Sequence, residues 1–262
     1  MINEHDLIPY NTSALPAGPW LVFAPHPDDE TFGMGGSLLL ASDQGIETRV
    51  VILTDGSLGG DDKAIVDIRR NEAILALNAL GVKKYYFWNL PDRGLEVTEA
   101  LILKVVQIIS EVKPQSVFFP TPMELHPDHR QTAVLVWEGL RQAKSFTGKA
   151  FSYEIGTQGQ INYLIDIGAV VEKKNQVMAL YASQQAINNY TQIVQSLDCA
   201  RTYTLPKSVR AAEGFWQHET LSKSLASDTL ASLRPYWQLS KLENPALVSI
   251  IVRTFRRTPA CA

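Results

Sequence analysis

Two hydrophobic rhythms alternate along this chain. Trp20-Leu21-Val22-Phe23-Ala24 is a short unbroken apolar run between prolines, and Thr48 to Thr54 is β-branched and apolar on both faces. Both patterns predict strands covered on two sides, as in a parallel sheet. Tyr85 to Trp88 and Ser116 to Phe119 predict two more strands, the second stopped by Pro120. Between these runs the spacing becomes helical. Ile65, Ile68, Ala73, Leu77 and Leu80 share one face of a helix predicted from about Asp62 to Leu80, which ends at Gly81. Glu30 to about Ser42, Thr98 to Val112 and Pro127 to about Ala143 predict three further helices, with Thr98 as an N-cap. Gly33, Gly35 and Gly36 are poor helix formers, so their presence in the first helix predicts close backbone approach there.

Strand and helix thus alternate four times, which argues a parallel sheet with helices on both faces. Beyond residue 145 the pattern loosens. Ala150–Ile155 and Ile161–Ile167 predict two further strands joined by a Gly/Gln loop; Ala169–Tyr181 and Asn188–Ala200 predict helices. Residues 1–19 form an irregular lead-in, 20–216 the expected domain, and 217–262 a C-terminal extension of different composition.

Composition narrows the function classes. The 262 residues are 45% hydrophobic and 19% charged, ordinary for a globular protein. A net charge of -3 creates no field to recruit nucleic acid or an anionic membrane. The apolar runs are too short to span a bilayer, and the N-terminus has no signal-peptide pattern. Cys199 and Cys261 form neither a disulfide framework nor a metal spacing, so a reducing, cytoplasmic compartment is the simplest expectation.

Three of the five histidines lie in two similar motifs, His26-Pro27-Asp28-Asp29-Glu30 and His126-Pro127-Asp128-His129. Each follows a predicted strand and precedes a helix. In open α/β sheets the loops at the carboxyl ends of strands meet near a topological switch point, so segments 100 residues apart can share one site. Two imidazoles and a carboxylate bind Zn²⁺ and leave a position for water or substrate. A second carboxylate can take the proton of that water. Asp28 and Asp29 supply one ligand and one base in either assignment. Of His126 and His129, one can bind the metal while the other faces a developing oxyanion or a leaving amine. The same two-histidine, one-carboxylate set also suits a non-haem Fe(II) enzyme, in which the second carboxylate has no evident task. A glycan-binding module without catalysis is a third reading. Taken singly, a His-Pro-Asp turn can simply cap a helix.

Together with Thr54-Asp55-Gly56-Ser57, Arg69-Arg70-Asn71-Glu72-Ala73 and Leu90-Pro91-Asp92, the two motifs resemble those of the PIG-L/LmbE-like family of zinc-dependent de-N-acetylases, over roughly residues 20–216. The resemblance implies a Rossmann-like three-layer α/β fold with the metal site at the C-terminal ends of its strands. It implies removal of an acetyl group from an N-acetyl amino sugar or sugar conjugate. It further implies His26, Asp29 and His129 as Zn²⁺ ligands and Asp28 as general base. His126 would stabilise the oxyanion and assist amine departure, oriented by Asp128. Arg69 and Asp92 would contact substrate. Asp55 and Asp92 also read as turn formers, Glu30 as a charge at a helix start, and the Ser183-Gln184 pair as structural. Residues 244–259, containing Val248-Ser249-Ile250-Ile251-Val252, resemble the opening strand and turn of a family 2 glycosyltransferase, which implies a fused second domain.

Overall fold

A computed structural model of the chain describes residues 11–60, 64–219, 221 and 224–233. The glycosyltransferase-like stretch at 244–259 and His5 lie outside the described residues. Among the described residues the strands form one mixed, mostly parallel sheet in the order β3-β2-β1-β4-β5-β7-β6. Its parallel part comprises β1 (Trp20–Ala24), β2 (Thr48–Thr54), β3 (Lys84–Leu90), β4 (Ser116–Pro120) and β5 (Lys149–Tyr153). β7 (Ala212–His218) lies antiparallel between β5 and β6 (Tyr163–Asp166). The chain steps outward from β1 to β3, then returns to lay β4 against the other side of β1. The order reverses between β1 and β4, the strands that precede the two histidine motifs.

Alternation of side chains along β1 feeds two cores. Trp20, Val22 and Ala24 join one buried cluster with residues of α1 (Asp29–Asp43), α2 (Ile65–Ala79), α5 (Val171–Met178) and α7 (Tyr190–Ala200). Leu21 and Phe23 join the other, with α3 (Glu99–Val112), α4 (Pro127–Gln142) and Leu225 of α8 (Leu225–Leu233). Burying each such side chain contributes about 1.5–3 kcal/mol, so β1 is fixed from both faces and its carboxyl end is a firm platform. Thr98 caps α3 as expected, accepting from the Leu101 N–H.

Helix α1 is broken at Met34, whose φ is -148° and ψ 26°. A Cβ on Gly33 would lie 2.6 Å from the Glu154 carbonyl oxygen, and one on Gly36 2.6 Å from Ile167 Cγ2. These glycines let the broken helix sit directly on β5 and on the loop after β6. Glu213 of β7 accepts from the Gly36 and Ser37 N–H groups, each at 2.8 Å, and so caps the second half of α1. Its charge is met by Lys174 Nζ at 2.9 Å, which also meets Asp198 at 2.6 Å. No helix among the described residues is long and apolar enough to cross a membrane.

β7, α8 and the short α6 (Ala182–Gln185) go beyond the sequence expectations. The expected boundary at 216 falls inside β7, and Asp228 of α8 bonds His218 Nδ1 at 2.6 Å, so the start of the extension packs on the domain. β7 carries no period-2 pattern because both its edges are paired and both its faces are covered.

Candidate metal centre

The loops after β1 and β4 meet as their strand positions require. Thr54, at the end of β2, anchors the first loop by donating its N–H and its hydroxyl to the Pro25 carbonyl, both at 2.9 Å. Asp28 then adopts φ 146°, a left-handed-side value that a non-glycine residue rarely holds, and its carbonyl accepts from Thr31 and Phe32 to start α1. Such strain persists only where surroundings enforce it. His126 plays the matching part for α4: its Nδ1 accepts from the Asp128 N–H at 3.2 Å, and Pro127 opens the helix.

Three atoms form a tight triangle. His26 Nδ1 lies 3.0 Å from Asp29 Oδ2, His129 Nε2 lies 3.2 Å from the same oxygen, and the two nitrogens are 3.3 Å apart. Ligand atoms about 2.0–2.1 Å from a tetrahedral cation are about 3.3–3.4 Å from one another, so the triangle has the dimensions of three first ligands. A His126 ring nitrogen falls within 4.8 Å of nitrogens of His26 and His129.

Each of the two imidazoles in the triangle has a carboxylate behind it. His26 Nε2 faces Asp128 Oδ2 at 3.1 Å and Asp92 Oδ1 at 3.3 Å. His129 Nδ1 faces Glu124 Oε2 at 3.6 Å. Carboxylates placed this way fix the tautomer of a metal-binding histidine and raise its basicity. Asp128 was expected to orient His126. The structure turns its carboxylate to His26 instead, and its contact with His126 runs through the backbone N–H. Asp128 is held there by the Arg93 and Leu95 N–H groups.

Electrostatics fit a cation at the triangle. Burial opposes charge on every group, yet the carboxylates around His26 (Asp128, Asp29 and Asp92) hold its imidazole well above the usual range. His129 is raised to about 9 against burial, by the charge and hydrogen bond of Asp29 and by Glu124. Asp29 is held well below the usual carboxylate range despite burial, chiefly by His129. Positive charge is therefore favoured where the three atoms converge. Asp28 differs: burial pushes it up to about 7, although the Arg69 guanidinium pulls it down. Burial and the neighbouring His26 and His129 lower His126 to about 4.

Arg69 and Asp92 both line the cavity but are committed to the protein. Arg69 Nη2 donates to Asp28 Oδ2 at 2.8 Å and to the Pro27 carbonyl, and its Nη1 donates to Gly56. Asp92 accepts from the Leu58 N–H and faces His26. Asp55 bonds the Ser57 N–H as a turn former, Glu30 accepts from Tyr181 and Thr31, and Ser183 donates to Glu72. Glu124 was given no role by sequence reasoning, because its partner nitrogen is set by the rotation of His129. It also gathers the N–H groups of Ile155, Gly156 and Thr157. His26, Asp28, Asp29, Arg69, Asp92, Glu124, His126 and His129 open on a cavity of about 690 Å³, lined further by apolar side chains (Leu58, Leu125, Ile187, Ile193) and polar ones (Arg93, Thr157, Gln184). A larger cavity, about 1010 Å³, lies at the amino ends of β4 and β5, with no histidine or carboxylate in its lining.

The chain is similar to known deacetylases. The family model for PIG-L, GlcNAc-PI de-N-acetylase, matches residues 21–140, which include both histidine motifs. Diacetylchitobiose deacetylase of Thermococcus kodakarensis is 30% identical over 184 residues, 63% of this chain and 69% of the relative. A probable N-acetyl-alpha-D-glucosaminyl L-malate deacetylase 2 of Bacillus anthracis is 29% identical over 217 residues, 75% of this chain and 93% of the relative. The solved structure of N,N'-diacetylchitobiose deacetylase from Pyrococcus horikoshii is similar with a TM-score of 0.68 at 29% identity, covering 76% of this chain and 82% of that one.

Proposed function

Since this chain belongs to the PIG-L/LmbE-like family of deacetylases, we propose that it hydrolyses the N-acetyl amide of an amino sugar or sugar conjugate, with one Zn²⁺ held by His26, Asp29 and His129. The observation that carries the reading is the triangle of ligand-spaced atoms with a carboxylate behind each imidazole, beside a buried second carboxylate. Two imidazoles and one carboxylate leave a tetrahedral cation one open position, as catalytic zinc sites do. A cation there supplies Lewis acidity, polarising the acyl carbonyl and lowering the pKa of water.

The chain's own residues supply the rest. Asp28 acts as general base and takes the proton of the attacking water. A carboxylate raised to about 7 by burial is well matched to that task near neutral pH. Arg69 holds the Asp28 carboxylate in place and keeps part of it ionised. His126, lowered to about 4, is neutral at pH 7. Its Nδ1 accepts from the Asp128 N–H, so its ring proton sits on Nε2. It therefore serves the oxyanion as a neutral hydrogen-bond donor. The proton gathered by Asp28 passes to the amine as the C–N bond breaks, giving acetate and a free amino sugar. Asp128 and Asp92 act through His26, and Glu124 through His129.

An acetate-release screen across N-acetylated amino sugars, with Zn²⁺ supplied, tests the reading. Release that is lost on chelation and restored by zinc supports it; absence of release across the panel refutes it. A glycosyltransferase domain fused beyond residue 244 remains part of the proposal, and reading the open frame past Ala262 tests it separately.

A further inference from the structure

The two ends of the sheet are finished differently. At one end the outer side of β6 is occupied: the Ser13 N–H donates to the Leu164 carbonyl at 2.6 Å, and the Leu164 N–H donates to the Ser13 hydroxyl at 3.4 Å. At the other end lies β3, and among the described residues no strand pairs with its outer edge. An open edge is usually blunted by charge, proline or a bulge. Here Tyr85, Tyr86, Phe87 and Trp88 are all half-buried, the strand has no proline, and its one charge is on its first residue, Lys84.

Hydrogen-bond direction fixes which groups are open. The Trp20 N–H donates to the Glu47 carbonyl, so Glu47, Arg49 and Val51 turn their backbone groups to β1, while Thr48, Val50 and Ile52 turn theirs to β3. In the register that sets Arg49 beside Lys84, those groups meet Lys84, Tyr86 and Trp88. Tyr85 and Phe87 therefore point their N–H and C=O groups outward. The open stretch stops on both sides. Below it, the Lys83 N–H turns inward to Thr48; above it, Asn89 takes φ 52°, the register shifts, and the Leu90 carbonyl accepts from Asp55.

This stretch is symmetric about Tyr86, and the symmetry selects its occupant. When a second copy lies antiparallel with Tyr86 opposite Tyr86, each outward N–H of Tyr85 and Phe87 meets an outward carbonyl of Phe87 or Tyr85. Tyr85 then stands opposite Phe87, an aromatic pair of the kind that stabilises antiparallel ladders. Pairing one edge with itself closes as a two-fold dimer. Head-to-tail growth through β6 is barred, because Ser13 holds that edge. One feature opposes the pairing. Lys84 Nζ lies 5.2 Å from the Tyr86 ring centroid and Lys104 Nζ 4.3 Å from that of Trp88, so two copies bring these lysines to one face.

We propose that β3 pairs with β3 of a second copy, antiparallel about Tyr86, joining two sheets into one across a two-fold dimer. The pairing needs neither metal nor substrate.

Sedimentation of the full chain over a concentration series tests it. The chain should dimerise, and Tyr85→Pro should raise the dimer dissociation constant at least about tenfold, because each copy loses one N–H across the axis. In a larger assembly the same variant should halve the mass. That N–H serves no bond within the chain's own sheet, and proline is tolerated on an outward-facing edge, so far-UV circular dichroism should not change. If the variant does not fold, cross-linking decides. With Cys199 and Cys261 replaced by Ser, Tyr86→Cys should oxidise to a covalent dimer, since opposed residues of a non-hydrogen-bonded antiparallel pair have Cα atoms about 4.5 Å apart, within disulfide reach. Trp88→Cys should not, because its counterpart lies four residues further along, about 13 Å away. Raising salt from about 0.05 to about 0.5 M should tighten the dimer by screening the lysines. A monomer at every concentration, an assembly that folded Tyr85→Pro leaves unchanged, equal cross-linking at 86 and 88, or a dimer loosened by salt overturns the proposal.

Discussion

Asp128→Asn separates two roles for one carboxylate. If Asp128 orients His126, the substitution lowers turnover and leaves metal binding alone. If it acts through His26, metal affinity falls. The structure favours the second: Oδ2 is 3.1 Å from His26 Nε2 and is fixed by the Arg93 N–H at 2.7 Å. Asparagine keeps the shape and one acceptor but loses the charge. A hydrogen bond to a charged partner contributes about 1.5–3 kcal/mol and a neutral one about 0.5–1.5, so the difference is on the order of 1–1.5 kcal/mol, or about tenfold in affinity. This is the lower end of the roughly 10–100-fold range for carboxylates behind metal-binding histidines. Asp92, 3.3 Å from the same nitrogen, keeps the effect there. Asp92→Asn together with Asp128→Asn should therefore cost more than the two single changes summed, because neither single variant removes all negative charge from behind His26. The assay is competition between apoprotein and a chromophoric chelator for Zn²⁺ at pH 7.5. Unchanged zinc affinity in Asp128→Asn, with turnover reduced, would refute the reasoning and return Asp128 to His126.

Other expectations follow from the same geometry. Asp28→Asn should lower kcat by about 10²–10⁴-fold while zinc content by metal analysis stays at one per chain; parallel loss of both contradicts its role as base. Removing metal by chelation should lower the unfolding temperature, and adding Zn²⁺ should restore it, since ligand binding to the native state stabilises by mass action; an unchanged midpoint in calorimetry argues against the triangle as a cation site. Lys174→Met leaves Asp198 and Glu213 buried without their cation, a change that typically costs about 3–5 kcal/mol. Burial raises Asp198 to about 6 even with Lys174 lowering it, so its protonation stabilises the fold at low pH, and that contribution is lost as pH rises through about 6. Losing Lys174 raises Asp198 further, so the variant's deficit in thermal unfolding should be large at pH 8 and smaller at pH 5. An equal deficit at both pH values counts against this account.

The sequence by itself determined the strands whose character is local. β1 is an unbroken apolar run, β2 holds the apolar run Val50–Leu53 between β-branched threonines, and the bounds of both are those of the expected segments. It also brought both histidine motifs to the carboxyl ends of strands, because a parallel alternation leaves those loops no other edge. Tertiary structure alone decided what has no local signature. β7 is a strand because β5 and β6 pair with both its edges, and nothing in Ala-Glu-Gly-Phe-Trp-Gln-His encodes that. Which nitrogen of His26 faces which carboxylate depends on ring rotation inside a packed site. So the spacing of His-Pro-Asp-His left Asp128 free to serve either His126 or His26, and Glu124 without a role. The outer wall of the cavity likewise exists only once segments around residues 58, 125 and 187–193 converge; apart, Leu58, Leu125, Ile187 and Ile193 are exposed aliphatic side chains of the kind any surface carries.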